Sequence, residues 1–147
     1  MGFLSSINVS ASGLTAEKLR MDIISKNIAN ANTTRTADGN PYRRQVVVFE
    51  GSDKNIPFSQ YLSDASKTMI GGGVKVKGIV EDKSPFKLVY EPGHPDADEK
   101  GYVKMPNVDV MTEMVNMITA SRAYEANVTA LNTSKSIAMK ALEIGRG

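Results

Sequence analysis

The sequence predicts an α+β fold in which two long terminal helices pair as an antiparallel coiled coil, with a small β-rich domain inserted between them. Both ends of the 147-residue chain are almost free of Pro and Gly, and apolar residues recur there every seven positions. The stretch between Gly39 and Pro106 holds most of the Pro and Gly and several short apolar-rich runs. We therefore expect a helical assembly domain formed by 1–32 and 107–147, and a β-rich domain formed by 33–106.

The first helix is expected from about Ser5 to Ala31, a segment whose only glycine is Gly13. Its apolar stripe consists of Ile7, Leu14, Met21, Ile24 and Ile28. We expect Asn30 and Asn32 to end the helix, because Asn tolerates the left-handed conformation common at helix C-termini.

The middle of the chain contains three candidate strands, bounded by turn-forming residues. They are Tyr42–Glu50, Val74–Val80 and Phe86–Tyr90. Ile56–Ile70 is polar and poorly periodic, which indicates a surface excursion or a mobile loop. Glu91–Lys104 is rich in Pro, Gly and acidic residues, and we expect it to be irregular.

The second helix is expected to begin after Pro106, with Asn107 as its N-cap, and to continue to Ile144. One seven-residue row consists of Val110, Met117, Tyr124, Leu131 and Ala138. A second row consists of Met114, Val128 and Leu142, and it is interrupted by Ser121 and Lys135. An unbroken helix of this length spans about 50 Å, which exceeds the width of an ordinary globule of this chain length.

Neither helix has enough local partners in a small β region to bury its stripe. We therefore expect the two helices to pair with each other or with other copies of the chain. The alternative is a single long amphipathic helix packed on a small sheet.

Candidates for catalysis or metal binding are weak. The chain has no Cys, and its one histidine, His94, lies in an acidic turn without a second His nearby. Gly71–Gly73 lacks the Lys-Ser/Thr sequence that completes a phosphate-binding loop. We expect no catalytic residue, no metal and no cofactor.

The charge and hydropathy of the chain exclude other classes. A net charge of +2 with Arg43 and Arg44 as the nearest approach to a basic patch does not predict nucleic-acid binding. The longest apolar run, Val46–Phe49, is far too short to insert into a membrane.

Five blocks along the chain carry a family resemblance. Leu14–Thr34, LTAEKLRMDIISKNIANANTT, resembles the N-terminal signature of the flagellar rod and hook axial protein family. The variant continuation, Thr34–Thr36 followed by Asn40–Arg44, is similar to the proximal-rod branch of that family. The remaining blocks are Pro92–Ala97, Gly101–Asp109, Glu113–Ile118 and Ser121–Asn127. The signature residues are Asn27, Asn30, Asn32, Thr33, Arg122 and Glu125.

The resemblance implies a structural subunit of the bacterial flagellar basal-body rod. Such a subunit is made in the cytoplasm, exported by the flagellar type III apparatus without a cleaved signal peptide, and polymerised beyond the inner membrane into a drive shaft that transmits torque to the hook. The implied partners are other copies of the chain, other proximal and distal rod subunits, the basal-body adaptor protein and the export apparatus.

Two further expectations concern assembly. We expect Asn27 to hydrogen-bond across a contact between copies and so to fix register. We also expect the isolated subunit to be monomeric, with its terminal segments largely unfolded. The competing functional class is a soluble coiled-coil adaptor whose helices are stable alone, and an enzyme is a distant third.

Overall fold

The structure is a computed structural model, and it describes residues 3–52 and 72–145. Its elements are helix α1 (Phe3–Ala29), strands β1 (Gln45–Gly51), β2 (Val74–Glu81), β3 (Lys87–Tyr90) and β4 (Tyr102–Met105), and helix α2 (Val110–Ile144). The predicted α+β order, with short strands between two long helices, is confirmed. The interpretation of Ile56–Ile70 lies outside the described residues.

Helix α1 ends close to the predicted position but by a different mechanism. Among the described residues, positive φ angles occur at glycines alone, so the expected left-handed Asn is wrong. The side chain of Asn30 instead donates to the carbonyl of Lys26 at 2.9 Å, and the amide of Ala31 donates to the carbonyl of Ile28 at 3.2 Å. The last carbonyls of the helix are therefore satisfied by a tightened turn and an Asn amide.

Strands β1 and β2 form a two-stranded sheet. The amide of Asp82, just after β2, donates to the carbonyl of Arg44, just before β1, at 2.8 Å. At the other end, the amide of Ser52 donates to the carbonyl of Gly73 at 2.9 Å. The start of β1 thus lies beside the end of β2, which makes the pair antiparallel.

Strands β3 and β4 form a second two-stranded sheet, in which Tyr90 lies opposite Tyr102. The expectation that Glu91–Lys104 is irregular is wrong at its C-terminal end, where β4 begins. A strand of four residues in which Val103 alone is buried carries too little alternation to be recognised in the sequence. Gly101, with φ of 80°, precedes β4, and a side chain there would press on the Tyr90 ring.

Helix α2 begins three residues later than Asn107, and Asp109 caps it. The Asp109 carboxylate accepts a hydrogen bond from the amide of Met111 at 3.0 Å, and this bond lowers the pKa of Asp109. The expectation that Asn107 is the N-cap is wrong, because its side chain is engaged elsewhere, as described below.

The chain divides into two compact units by its internal packing. The first, which we call the terminal unit, comprises Met1–Lys18, Phe49–Lys77 and Ser121–Gly147. The second, the central unit, comprises Leu19–Val48 and Gly78–Ala120. Each long helix therefore contributes one segment to each unit.

The central unit holds nearly all of the buried side chains. Its apolar core is formed by Ile23, Ile24, Tyr42, Val103, Val108 and Ala120. In the described part of the terminal unit, Ala16 is the one buried apolar residue.

Contacts within the terminal unit are few and specific. The hydroxyl of Ser12 donates to the carbonyl of Val9 at 2.7 Å and accepts from the amide of Val74 at 3.1 Å, which ties α1 to the start of β2. A Cβ built on Gly13 would lie 3.0 Å from the amide oxygen of Asn127, so α1 and α2 approach closely at this point.

Candidate functional site

The predicted apolar stripe of α1 is only partly the buried face. Ile24 is buried as predicted, whereas Ile7, Leu14, Met21 and Ile28 are half-buried. The most deeply buried positions of α1 also include Ala16, Ile23 and Asn27.

The two predicted rows of α2 differ in how deeply their residues are buried. Val110, Met117, Tyr124 and Leu131 are each half-buried, as expected for residues beside a packed face. The second predicted row is displaced by one residue. Met114 and Leu142 are exposed and Val128 is half-buried, whereas the buried row runs through Glu113 and Ala120, with Asn127 and Ser134 half-buried.

The displacement has a physical cause. Spacing alone favoured Met114 over Glu113, because a carboxylate is almost never fully buried unless it is paired. Glu113 is only 1 % exposed, and it is paired. The site is therefore a polar cluster in the central unit, which we define as Asn27, Tyr42, Arg44, Asp82 and Glu113. Asn27, Tyr42 and Glu113 are buried, and Arg44 and Asp82 are half-buried.

Glu113 and Arg44 form the ionic centre of the cluster. One carboxylate oxygen of Glu113, Oε1, accepts from Arg44 Nη2 at 2.7 Å and Nε at 3.0 Å. The side chain of Asn116, one turn further along α2, donates to the same oxygen at 3.2 Å. The other oxygen, Oε2, accepts from the side chain of Asn27 at 2.8 Å. Hydrogen bonds to both carboxylate oxygens offset part of the cost of desolvating Glu113.

Asn27 joins α1 to β1 and α2. Its amide nitrogen donates to the carbonyl of Gln45 and to Glu113, each at 2.8 Å. Its amide oxygen accepts from the hydroxyl of Tyr42 at 2.9 Å and from the amide of Gln45 at 3.0 Å. Two donors and two acceptor positions are the full capacity of an Asn side chain.

The expectation that Asn27 bonds across a contact between copies is therefore wrong. The side chain is 1 % exposed, and its hydrogen-bonding capacity is used within the chain. The register that it can fix is that of its own helix against β1 and α2.

Further polar contacts surround Arg44. Its Nη1 lies 3.3 Å from a carboxylate oxygen of Asp82. Its backbone amide donates to the side chain of Asn107 at 2.8 Å, and Asn107 in turn donates to the carbonyls of Asp82 at 3.0 Å and Ser84 at 3.3 Å. Asn107 therefore holds the entry to α2 against the end of β2.

The titration behaviour of the cluster follows from these contacts. Burial raises the pKa of Tyr42, and the negative charges of Glu113 and Glu81 add to the effect. Burial opposes the charge of Arg44, but hydrogen bonding to Glu113 and its charge, with Asp82 contributing less, raise the pKa of Arg44. Hydrogen bonds from the hydroxyl and the amide of Ser84 lower the pKa of Asp82. These contacts therefore favour the charged form of Arg44.

The other signature residues lie outside the cluster. Asn30 accepts from the hydroxyl of Thr33 at 3.2 Å in the turn after α1, and Asn32 is exposed. Arg122 and Glu125 are exposed on α2. Within residues 3–52 and 72–145, no hydrogen bond or ion pair explains the choice of residue at Asn32, Arg122 or Glu125.

Helix α2 also presents large apolar side chains to solvent in two places. Met111, Met114, Val115 and Ile118 form the central-unit face, which covers the first turns of the helix. Near the end of the helix, Ile137, Met139, Leu142 and Ile144 are also exposed, by 55 % to 82 %. With 3.6 residues per turn, Ile137 and Ile144 lie on one side of the helix and Met139 and Leu142 on the other. Soluble monomers rarely leave a contiguous apolar surface such as the central-unit face open to water.

The described residues contain no group of three or more acidic, His or Cys side chains that could hold a metal ion. Nδ1 of His94 accepts from the amide of Asp96 at 3.1 Å, and the Asp96 carboxylate accepts from the hydroxyl of Thr34 at 2.8 Å. These contacts hold a turn together. Neither described helix is long and apolar enough to cross a bilayer.

Two protein-family models match the sequence, one near each end of the chain. The family model described as flagella basal body rod protein matches residues 7–35, and the model described as flagellar basal body rod FlgEFG protein C-terminal matches residues 99–144. These two matches include Asn27 and Glu113.

Whole-length relatives extend the likeness. The chain is 53 % identical to the flagellar basal-body rod protein FlgC of Borreliella burgdorferi, with 100 % of both chains covered. It is 49 % identical to FlgC of Bacillus subtilis, over 96 % of this chain and 97 % of that protein. It is 46 % identical to FlgC of Escherichia coli O6:H1, over 99 % and 100 %. The chain belongs to the FlgC family of flagellar basal-body rod proteins.

Proposed function

We propose that the chain is a structural subunit of the flagellar basal-body rod that assembles through its terminal helices. The observation that carries this proposal is the exposed apolar face at the start of α2, with further exposed apolar side chains near its end. The row of α2 that is buried within the chain contains Glu113 and Ala120, whereas Met111, Val115 and Ile118 face water. Burying a side chain of that size stabilises a contact by about 1.5 to 3 kcal/mol, so partner subunits are the expected source of cover.

The terminal helices pair in the antiparallel sense in this proposal. The close approach of Gly13 to Asn127 and the hydrogen bond of Asn27 to Glu113 support it. The two contacts are separated by two heptads on each helix, in opposite chain directions, as an antiparallel pair requires. In this arrangement 1–32 and 107–147 form the assembly domain and 33–106 forms an outer domain.

The half-buried rows of the two helices complete the assembly surface in this proposal. These residues are Ile7, Leu14, Met21, Ile28, Val110, Met117, Tyr124, Val128 and Leu131. A half-buried apolar side chain gains further burial when a neighbour packs against it, and a closed array of such helices resists torsion.

The proposal extends to partners and location, and membership of the FlgC family supports this. The subunit is exported by the flagellar type III apparatus without a cleaved signal peptide and is incorporated beyond the inner membrane. It contacts other copies of itself, other proximal and distal rod subunits and the basal-body adaptor protein. It transmits torque to the hook and performs no catalysis.

The test is incorporation into basal bodies in a strain that lacks the native gene. Ile118→Asp places a charge in the central-unit face without disturbing a buried side chain, so the purified subunit should remain folded while incorporation and motility are lost. Asn132→Asp adds a charge at an exposed polar position of the same helix and serves as the matched control. Wild-type incorporation of the Ile118→Asp subunit would overturn the proposal.

A further inference from the structure

We propose that strand β3 pairs edge to edge with β3 of a second copy of the chain, so that the free subunit forms a weak, two-fold symmetric dimer at high concentration. The contact joins the two-stranded β3–β4 sheets of both copies into one continuous sheet. The inference concerns the central unit alone and does not depend on the proposed role in the rod. It departs from the sequence-based expectation that the isolated subunit is monomeric.

The ladder between β3 and β4 shows which backbone groups of β3 are open. The amide of Glu91, just after β3, donates to the carbonyl of Gly101 at 2.9 Å, which makes the two a hydrogen-bonded pair of this antiparallel ladder. Such pairs alternate with non-bonded ones, so Val89 also bonds to β4. The amides and carbonyls of Leu88 and Tyr90 therefore point away from β4. Within residues 3–52 and 72–145, no other strand pairs with this edge.

The same two residues also expose their side chains. Leu88 and Tyr90 are each 63 % exposed on one face of the sheet, which also carries the exposed Tyr102. Edge strands of natural proteins are commonly protected by a central charge, a proline or a bulge, and β3 has none of these between Lys87 and Glu91. An edge with open backbone groups and apolar side chains can accept another strand.

The charges at the two ends of β3 fit a second copy in the antiparallel sense. Lys87 and Glu91 lie at equal distances along the chain from Val89, and both are exposed. When two β3 strands run antiparallel about Val89, Lys87 of each copy lies opposite Glu91 of the other. The same register sets Leu88 opposite Tyr90, so that the open amides and carbonyls of the two strands meet. One register therefore satisfies the backbone, the charges and the apolar side chains.

The contact is short and closes on itself. Pro85 lies two residues before β3 and Pro92 lies two residues after it, and proline has no amide to donate to a longer ladder. Each copy uses its one open β3 edge in a two-fold contact, which gives a dimer and not a fibre. Because so small a contact binds weakly, we expect a dissociation constant on the order of 0.1 mM.

Amide exchange measured by NMR at two protein concentrations tests the edge directly. We expect the amides of Leu88 and Tyr90 to exchange about threefold more slowly at about 1 mM than at about 20 µM, because most of the protein is then paired. The amide of Val89 already bonds to β4, so its exchange should change much less. A dimer in which Leu88 and Tyr90 keep their exchange rates would place the contact elsewhere and overturn the inference, as would a monomer at about 1 mM.

Charge reversal tests the register. Lys87→Glu sets like charges opposite each other in a homodimer, and Glu91→Lys does the same with the opposite sign. Each variant alone should therefore dimerise at least about tenfold more weakly than the wild type in sedimentation equilibrium. An equimolar mixture of the two variants restores opposite charges at both positions and should dimerise about as tightly as the wild type. A mixture that dimerises no more tightly than either variant alone would overturn the inference.

Matched controls separate this register from a general effect of charge. Lys83→Glu and Glu99→Lys make the same changes at exposed positions outside β3, and they should leave dimerisation unchanged alone and when mixed. Lys87 also donates to the carbonyl of Val108 at 3.3 Å, so urea unfolding must show that Lys87→Glu is folded. Glu91→Lys keeps that contact and carries the test if Lys87→Glu unfolds. Control variants that weaken the dimer as much as Glu91→Lys would overturn the inference.

Discussion

The central and terminal units use the same two helices in opposite ways. In the central unit, α2 turns a carboxylate inward at Glu113 and apolar side chains outward at Met111, Val115 and Ile118. In the terminal unit, the segment 121–145 exposes Ile137, Leu142 and Ile144. The central unit has a packed core within the chain and the described part of the terminal unit has little buried apolar surface, and both units leave exposed apolar side chains of α2 to be covered.

This difference separates two physical tasks. Hydrogen bonds between buried polar groups add little net stability but penalise every wrong arrangement, so they suit the definition of a register. Apolar burial is non-directional and roughly proportional to area, so it suits the energy of assembly. The chain places its polar groups where geometry must be fixed and its apolar groups where neighbours must be held.

The largest effect on the central unit is expected from Asn27→Leu. The substitution leaves the hydroxyl of Tyr42, the amide and carbonyl of Gln45 and one oxygen of Glu113 without this partner, at about 1 to 3 kcal/mol for each group that stays unsatisfied. We expect the free energy of unfolding to fall by about 3 kcal/mol or more.

Urea unfolding of the free subunit measures the change. The matched control is Asn132→Leu, which replaces an exposed Asn of α2. Equal midpoints for Asn27→Leu and the wild type would show that the cluster does not stabilise the central unit.

Leu131→Asp should act mainly on assembly. Leu131 is half-buried in the terminal unit, where the central-unit cluster does not reach. A carboxylate placed there would be buried without a partner once neighbours pack, at several kcal/mol by analogy with other unpaired buried charges. We expect incorporation and motility to be abolished, while the urea midpoint of the free subunit changes little. A motile strain would contradict this.

Gly13 and Asn127 offer a finer test of the terminal unit. A Cβ at residue 13 would lie 3.0 Å from Oδ1 of Asn127, so Gly13→Ala must displace that side chain. In the Asn127→Ala background the contact is relieved, and the higher helix propensity of Ala should stabilise the chain by up to about 1 kcal/mol. We therefore expect a double-mutant cycle of Gly13→Ala and Asn127→Ala to give a non-zero coupling free energy. The cycle is measured by thermal dissociation of assembled basal bodies. Additive effects would mean that the two helices do not touch there.

The sequence predicted the elements well and their facing residues poorly. Long runs without Pro or Gly and a seven-residue period were enough to place both helices, because these signals extend over many turns. The hydrophobic period places Met114 on the second row of α2, whereas the residue buried within the chain is Glu113. Hydrophobicity does not reflect that Arg44, distant in the chain, pairs with the Glu113 carboxylate and that Asn27 donates to it.

The capping errors have a related origin. Asn107 and Asp109 are both good N-cap residues, and local pattern does not distinguish them. The choice is made by tertiary contacts, since the side chain of Asn107 is held by the amide of Arg44 and the carbonyl of Asp82. A signal for the cluster was nonetheless present. A lone Glu in the first turn of a helix otherwise rich in Met and Val, with an Arg pair before a strand, indicates a possible buried ion pair.

The smallest predicted effect concerns pH at the edge of the cluster. Hydrogen bonds from Ser84 lower the pKa of Asp82 in the folded chain, and Arg44 contributes in the same sense. The pKa of Asp82 is lower in the folded chain than in the unfolded chain. The contribution of Asp82 to the free energy of unfolding is therefore complete above its unfolded pKa and is lost as the pH falls through its folded pKa.

Ser84→Ala tests this contact. It removes the hydrogen bond of 2.5 Å from the Ser84 hydroxyl, which is the largest cause of the lowered pKa of Asp82. We therefore expect a carboxyl-detected NMR titration to give a higher pKa for Asp82 in Ser84→Ala than in the wild type, still below the ordinary value, because Arg44 remains 3.3 Å away. Ser136→Ala, at an exposed position of α2, should leave the titration unchanged. An unchanged pKa in Ser84→Ala would show that the hydroxyl does not act on Asp82, and that the amide of Ser84 and Arg44 account for the lowered pKa.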